Sequence, residues 1–157
     1  MGVILFFEWL FVILIAIAVY VLTAIGLYKI GARNGVKNPW LAFVPILQYY
    51  VVGSICEEYV LFGYRIKYLN WMMCIIMFFA LMSGGSFSLN IISLAATVLS
   101  LMILHKFFYL FNPQKAMVYT LLSLLGGIPI AIIIYILKDT PMVMSAGAYP
   151  YPFAEKR

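Results

Sequence analysis

Trp9 to Tyr28 is a run of twenty residues without a charged side chain, and about 20 residues is what a helix needs to cross the hydrocarbon core of a bilayer. Glu8 and Trp9 open the run, and Tyr28 and Lys29 close it, which puts aromatic residues at both interfaces. Composition extends the constraint to the whole chain. Of its residues 66% are hydrophobic and 10% charged, against about 25% charged in soluble domains, and mean hydropathy is +1.08. In lipid every backbone N–H and C=O needs a partner within the protein, which leaves helices or a closed barrel. Barrel strands alternate apolar and polar residues; Phe11-Val12-Ile13-Leu14-Ile15 does not. The expected fold is all-α: an integral membrane bundle of four transmembrane helices plus a short interfacial or re-entrant helix. Met1 to Phe7 has no basic n-region and the run beyond is too long for a signal-peptide core, so the segment is expected to stay as an anchor.

The basic loop after the first helix holds Lys29, Arg33 and Lys37, with Asn34-Gly35 and Asn38-Pro39 as helix breakers. From Trp40 the chain turns apolar again, but only to Ile55, with Pro45 inside and Gln48 just after it. That is too short and too interrupted for a crossing. The 40–55 segment is expected to lie along the surface or to dip in and return. Cys56 to Lys67 is mixed in charge, and the second span is expected over about 65–82, with Arg65 and Lys67 snorkelling to the interface. Ser83 to Ser86 is an uncharged turn. The third span, 87–104, carries Ser93, Ala96, Thr97 and Ser100 at helical spacing, a seam of small residues suited to close helix packing. His105 and Lys106 mark its return to the basic side. The fourth span, 116–137, contains Gly126, Gly127 and Pro129, read as a hinge. Residues 1–141 thus form the transmembrane domain, and 142–157 a flexible tail.

The titratable residues assemble no catalytic centre. His105 is the sole histidine and Asp139 the sole aspartate, whereas metal-dependent proteolysis needs several ligands and aspartyl catalysis two aspartates. Glu57-Glu58 resembles the start of the glutamate-pair motif of the CAAX-type intramembrane proteases, but Phe62 occupies the arginine position and the further histidines are missing. Gly84-Gly85-Ser86-Phe87 lacks the final glycine of a rhomboid-type serine setting. Gly31, Gly35 and Gly53 are too widely spaced for a phosphate loop. Cys56 and Cys74 give neither a disulfide framework nor a metal spacing. No cofactor and no metal site are expected, and the protein is expected not to be an enzyme.

The run from Tyr28-Lys29-Ile30 through Asn38-Pro39-Trp40-Leu41-Ala42-Phe43-Val44-Pro45, followed by Tyr50 and Gly53, resembles small uncharacterised bacterial multi-pass membrane proteins. In that group a basic loop leads to a Trp-Leu-Ala-Phe-x-Pro segment and an aromatic-x-x-Gly step. The resemblance covers mainly residues 28–54. It implies a bacterial plasma-membrane location and a helix layout, with no activity attached.

The net charge of +5 comes from basic residues at the ends of apolar runs, where it reports topology and contact with anionic lipid rather than nucleic acid. Lys29, Arg33, Lys37, Trp40, Pro45, Arg65 and Lys67 are the expected contacts to the membrane surface or a partner. The expected partners are lipid and a membrane protein or a second copy. Topology is expected with the N-terminus outside, the Lys29–Lys67 and His105–Lys115 regions inside, and the tail outside. Function falls into two classes: a non-enzymatic interaction or assembly module, which the uncharged spans favour, or alternatively a small oligomeric transporter or channel with the Gly126–Pro129 break in its path.

Overall fold

The computed structural model describes residues 2–57, 59–61, 64–82, 87–144 and 150. It is helical. The elements are α1 (Gly2–Arg33), a 3-10 helix (Pro39–Phe43), α2 (Gln48–Cys56), the short strands β1 (Tyr59–Leu61) and β2 (Tyr64–Ile66), then α3 (Leu69–Met82), α4 (Phe87–Phe111), α5 (Ala116–Ser123) and α6 (Gly127–Leu137). Within α1, Leu5–Arg33 is long and apolar enough to cross a membrane, with a mean hydropathy of 2.9 over its most apolar stretch. Shorter apolar stretches lie in α3, α4 and α6. The Ser83–Ser86 turn and most of the 142–157 tail lie outside the described residues.

The second helix begins later than expected. Residues 64–66 are strand, with Val60 opposite Arg65 in an antiparallel pair, and α3 starts at Leu69. Tyr, Val and Ile in this stretch fit a pleated backbone better than a helix, so Arg65 sits on a strand rather than at the foot of a span. At the other end of the pair of central helices, α4 runs past His105 and Lys106 to Phe111.

The larger correction concerns residues 116–137, where a single fourth span is replaced by two helices that double back. α5 runs antiparallel to α4: the His105 and Thr120 side chains meet at 3.1 Å, and the Phe108 and Tyr119 rings at 5.7 Å. After α6, the Val143 N–H donates to the Leu110 carbonyl at the end of α4, 2.9 Å away. A straight helix over 116–137 would rise about 33 Å, and the stretch from Leu137 to Val143 spans at most about 20 Å, so a straight helix could not return to Leu110. The reversal falls at Leu124–Gly126, where Gly126 has φ 118, a backbone conformation open to glycine and to few other residues. α6 consequently runs parallel to α1. A Cβ on Gly127 would meet Val19 and one on Gly26 would meet Ile134, so contacts advance together along both helices.

The segment after the basic loop also doubles back. Gly31 lies against both Pro39 and Val51, while between those two residues the Phe43 ring lies tilted against Tyr28 with centroids 5.6 Å apart, and the Phe43 carbonyl accepts a hydrogen bond from the Tyr20 hydroxyl. The chain therefore climbs alongside α1, turns around Pro45, and descends as α2. At nine residues, α2 rises only about 13 Å. α2 lies antiparallel to α3, with Gly53 against the Asn70 backbone and the Tyr50 ring 5.4 Å from Trp71.

These contacts bring the C-terminal ends of α1, α2, α4 and α6 and the start of α3 to one end of the molecule. The buried core gathers there, around Leu27, Ile30, Val51, Leu69, Phe107, Phe111 and Ile134. The N-terminal half of α1 stands clear, with Leu5 to Ile15 exposed.

Candidate functional site

Between the two hairpins lies a cavity of about 520 Å³ to which each of α1 to α6 contributes. α1 lines it with Ala16, Val19, Tyr20, Thr23 and Leu27, and α2 with Gln48, Tyr49 and Val52. Met73 and Met77 come from α3, Thr97, Ser100, Leu101 and Leu104 from α4, Ser123 from α5, and Gly127, Ile130 and Ile134 from α6. Both reversals place their tips here: Gln48 is the first residue of α2, and Ser123 and Gly127 flank the turn between α5 and α6. The cavity is a cup. Leu27, Val52, Met73 and Ile134 at its floor are buried, whereas Ala16, Thr97 and Gly127 at its rim are exposed.

Among the described residues that line it there is no Lys, Arg, Asp, Glu or His. Several of the polar ones satisfy themselves locally. Thr23 Oγ1 donates to the Val19 carbonyl at 2.8 Å, Ser123 Oγ to the Thr120 carbonyl at 2.6 Å, and Ser100 Oγ approaches Met77 Sδ at 3.7 Å. Gln48 differs. Its Nε2 is buried and, among the described residues, has no hydrogen-bond partner.

The expected site residues fall into three groups. Lys29, Arg33, Lys37 and Trp40 are exposed near the end of α1, and Pro45 is exposed at the turn of the first hairpin. Lys67 joins Ser54, Glu57 and Asn70 around a shallow cleft of about 320 Å³, and the Arg65 side chain lies outside the described residues. Of the small-residue seam, Ala96 is buried, Ser100 faces α3 through Met77, and Thr97 turns to the cavity rim; the Ser93 side chain is not among those described. Of the hinge residues, Gly126 makes the reversal. A Cβ added at Gly127 would lie 3.5 Å from Val19 Cγ1, and Pro129 sits in the first turn of α6, where its missing N–H deprives the helix of nothing.

Three features escaped the sequence reading. Gln48 was legible only as an interruption, although a lone amide in an apolar stretch is itself a signal of function. Lys106 is fully buried, and its Nζ donates to the Cys56 carbonyl at 2.8 Å. A cation there satisfies a carbonyl left open at the C-terminus of α2 and opposes the helix dipole. Burial also pushes the neighbouring Cys56 thiol up to about 12, with Lys106 pulling the other way. Gly53 packs directly on the backbone of α3. Among the described residues no group of three His, Cys, Asp or Glu could hold a metal ion.

Comparison with protein-family models, with curated proteins and with solved structures finds no match to the chain.

Proposed function

We propose that the protein is a non-enzymatic, multi-pass protein of the bacterial plasma membrane, a small carrier or channel for uncharged molecules built around the cavity between its two hairpins. In this reading α1, α3 and α4 cross the bilayer, while Pro39–Cys56 and Ala116–Leu137 enter part-way from the basic side and return. The observation that carries the reading is the meeting of both hairpin tips in one cavity whose described lining carries no charge. Irregular backbone at membrane depth is tolerated where it lines such a cavity, and broken helices with binding sites near the midplane recur in transporters.

Two further observations support the membrane layout. Only 17% of the most apolar stretch of α1 is buried, whereas a wholly apolar helix in a soluble protein belongs inside its core. From Tyr68 to Leu104 the chain has no charged residue, as an in-and-out pair of helices requires.

The test is flux. Proteoliposomes containing the protein should take up glycerol and larger uncharged polyols faster than protein-free vesicles, with the difference removed by bulky substitution at the cup floor, such as Val52→Trp. Equal uptake with and without protein would discard the carrier reading.

A second reading, an assembly module, is favoured by the exposed N-terminal half of α1, where Phe6, Phe7, Trp9 and Phe11 lie uncovered. Membrane helices associate through van der Waals packing, and an uncovered apolar face leaves surface for it. Oligomeric state in detergent, with and without polar substitutions at Phe7 and Phe11, separates it from the first.

A further inference from the structure

We propose that the cleft between the end of α2 and the start of α3 binds the headgroup of a zwitterionic phospholipid of the phosphatidylethanolamine type, with Glu57 taking its ammonium and Lys67 its phosphate. The inference rests on the membrane layout proposed above and adds a lipid site to it.

Glu57 and Lys67 are both exposed and line this one cleft with Ser54 and Asn70. Among the described residues neither belongs to an ion pair. Opposite charges that share a cleft without meeting suit a ligand that carries both signs. An anionic headgroup would satisfy Lys67 and be repelled by Glu57, so the two together select a zwitterion. Asn70 adds a donor, because its Oδ1 already accepts from the Trp71 N–H at 2.9 Å and its NH2 group is left for the phosphate. A primary ammonium donates hydrogen bonds to a carboxylate, whereas a trimethylated one has no N–H to give, which favours ethanolamine over choline.

Size and position agree with this chemistry. The cleft has a volume of about 320 Å³; at about 30 Å³ for each water-sized unit it holds roughly ten non-hydrogen atoms, and a phosphoethanolamine group has about that many. Tyr68 and Trp71 are exposed beside it, and aromatic residues of this kind mark headgroup depth. From the cleft an apolar stripe continues along α3, where Trp71, Ile75 and Phe78 are exposed at spacings that share one helix face. Acyl chains of a lipid held in the cleft would follow that stripe. Glu57 also holds φ 57 and ψ −82, a conformation in which an L side chain is strained, and such positions gather at functional sites.

Full-length protein stripped of lipid in detergent is titrated with phosphatidylethanolamine, phosphatidylcholine and phosphatidylglycerol of identical acyl chains, and one-to-one complexes are counted by native mass spectrometry. Phosphatidylethanolamine is expected to bind about 2- to 5-fold more tightly than the other two, the margin of an exposed ion pair. Glu57→Gln and Glu57→Gly should each lose the preference. Glycine suits the backbone at this position, so Glu57→Gly should melt no lower than the wild type. Lys67→Gln should weaken phosphatidylethanolamine by a similar factor. Glycerophosphoethanolamine, the same headgroup without acyl chains, should not displace the lipid at equal concentration.

Equal binding of the three lipids by the wild type overturns the proposal. So does a preference that survives both substitutions at Glu57, or displacement by glycerophosphoethanolamine, which would make the cleft a site for a soluble zwitterion. Failure of the membrane layout is distinguishable: a protein released into solution by alkaline washing of membranes removes the layout and the lipid site with it. A membrane-embedded protein without the headgroup preference loses the lipid site alone.

Discussion

At Gly53 a single hydrogen atom sets how closely two helices approach. A Cβ at this position would lie 2.6 Å from Asn70 Cα and 2.8 Å from its backbone nitrogen, and a backbone cannot swing aside as a side chain can. Gly53→Ala is therefore expected to force α2 off α3 and to destabilise the fold by about 1–3 kcal/mol, the usual cost of overpacking. Thermal unfolding in detergent checks it, and an unchanged midpoint would contradict the close approach. Cys56 gives a pH-dependent counterpart. Its thiol ordinarily titrates near 9.0 and is held up to about 12 by burial. Between those values the unfolded chain releases this proton while the folded one keeps it, so the folded state binds more protons and stability falls as pH rises. The loss from this one group is at most about 1.4 kcal/mol per pH unit, and is nil below the ordinary thiol range. Wild type should lose more stability than Cys56→Ala between pH 8 and pH 10.5, other groups cancelling in the comparison. Parallel losses would mean that the thiol reaches water.

At the scale of elements, the reversal between α5 and α6 depends on one backbone conformation. Gly126 has φ 118 and ψ −167, where an L side chain is strained. Gly126→Ala should cost about 1–3 kcal/mol, even though a Cβ there would meet no atom within 4 Å. Gly35, at φ 72 with equally open surroundings, lies in the left-handed region that asparagine tolerates. Gly35→Asn should thus be mild where Gly126→Asn is not, and paired melting curves distinguish strain from crowding. The glycine pair announces an interruption in the sequence, and α5 ends beside it. Its consequence was not legible. Hydropathy counts apolar residues without registering direction, so Ala116–Leu137 has the same composition whether it crosses once or enters and returns. The same limit applies to Lys106, which reads as an interfacial cation from its place after an apolar run, although in the fold the helix continues past it and α2 ends on its ammonium. The 40–55 segment was more readable, because Pro45 is not accommodated inside a regular helix and the run is short. Arg65 misled for a local reason, since a Tyr-Arg-Ile triplet bordered by an apolar run fits the foot of a helix as readily as a strand.

For the whole molecule, the doubling back of α6 changes where the charges fall. With four crossings, Lys138, Lys156 and Arg157 would lie on the side opposite to the other basic residues, against the positive-inside rule. In the proposed topology the conflict disappears. Leu137 and Val143 return to the end of α4, and the sequence beyond, Ser145 to Arg157, has no apolar run able to cross. All ten Lys and Arg residues then belong to segments on one side: Lys29, Arg33, Lys37, Arg65, Lys67, Lys106, Lys115, Lys138, Lys156 and Arg157. Such one-sidedness orients a chain strongly, since translocated loops disfavour Lys and Arg. A green fluorescent protein fused after Arg157 should consequently fluoresce in a bacterial host, and alkaline phosphatase fused at the same point should be inactive. An active phosphatase would restore the fourth crossing and remove both hairpins' common side of entry. Because a fusion could itself disturb insertion, an impermeant maleimide gives the independent check. In a chain carrying Cys56→Ala and Cys74→Ala, a cysteine at Gln114 and one at Met142 should both resist labelling in intact cells and both react after permeabilisation. The four-crossing layout requires Met142 alone to react from outside, so this pair of positions separates the two topologies whatever the cavity binds.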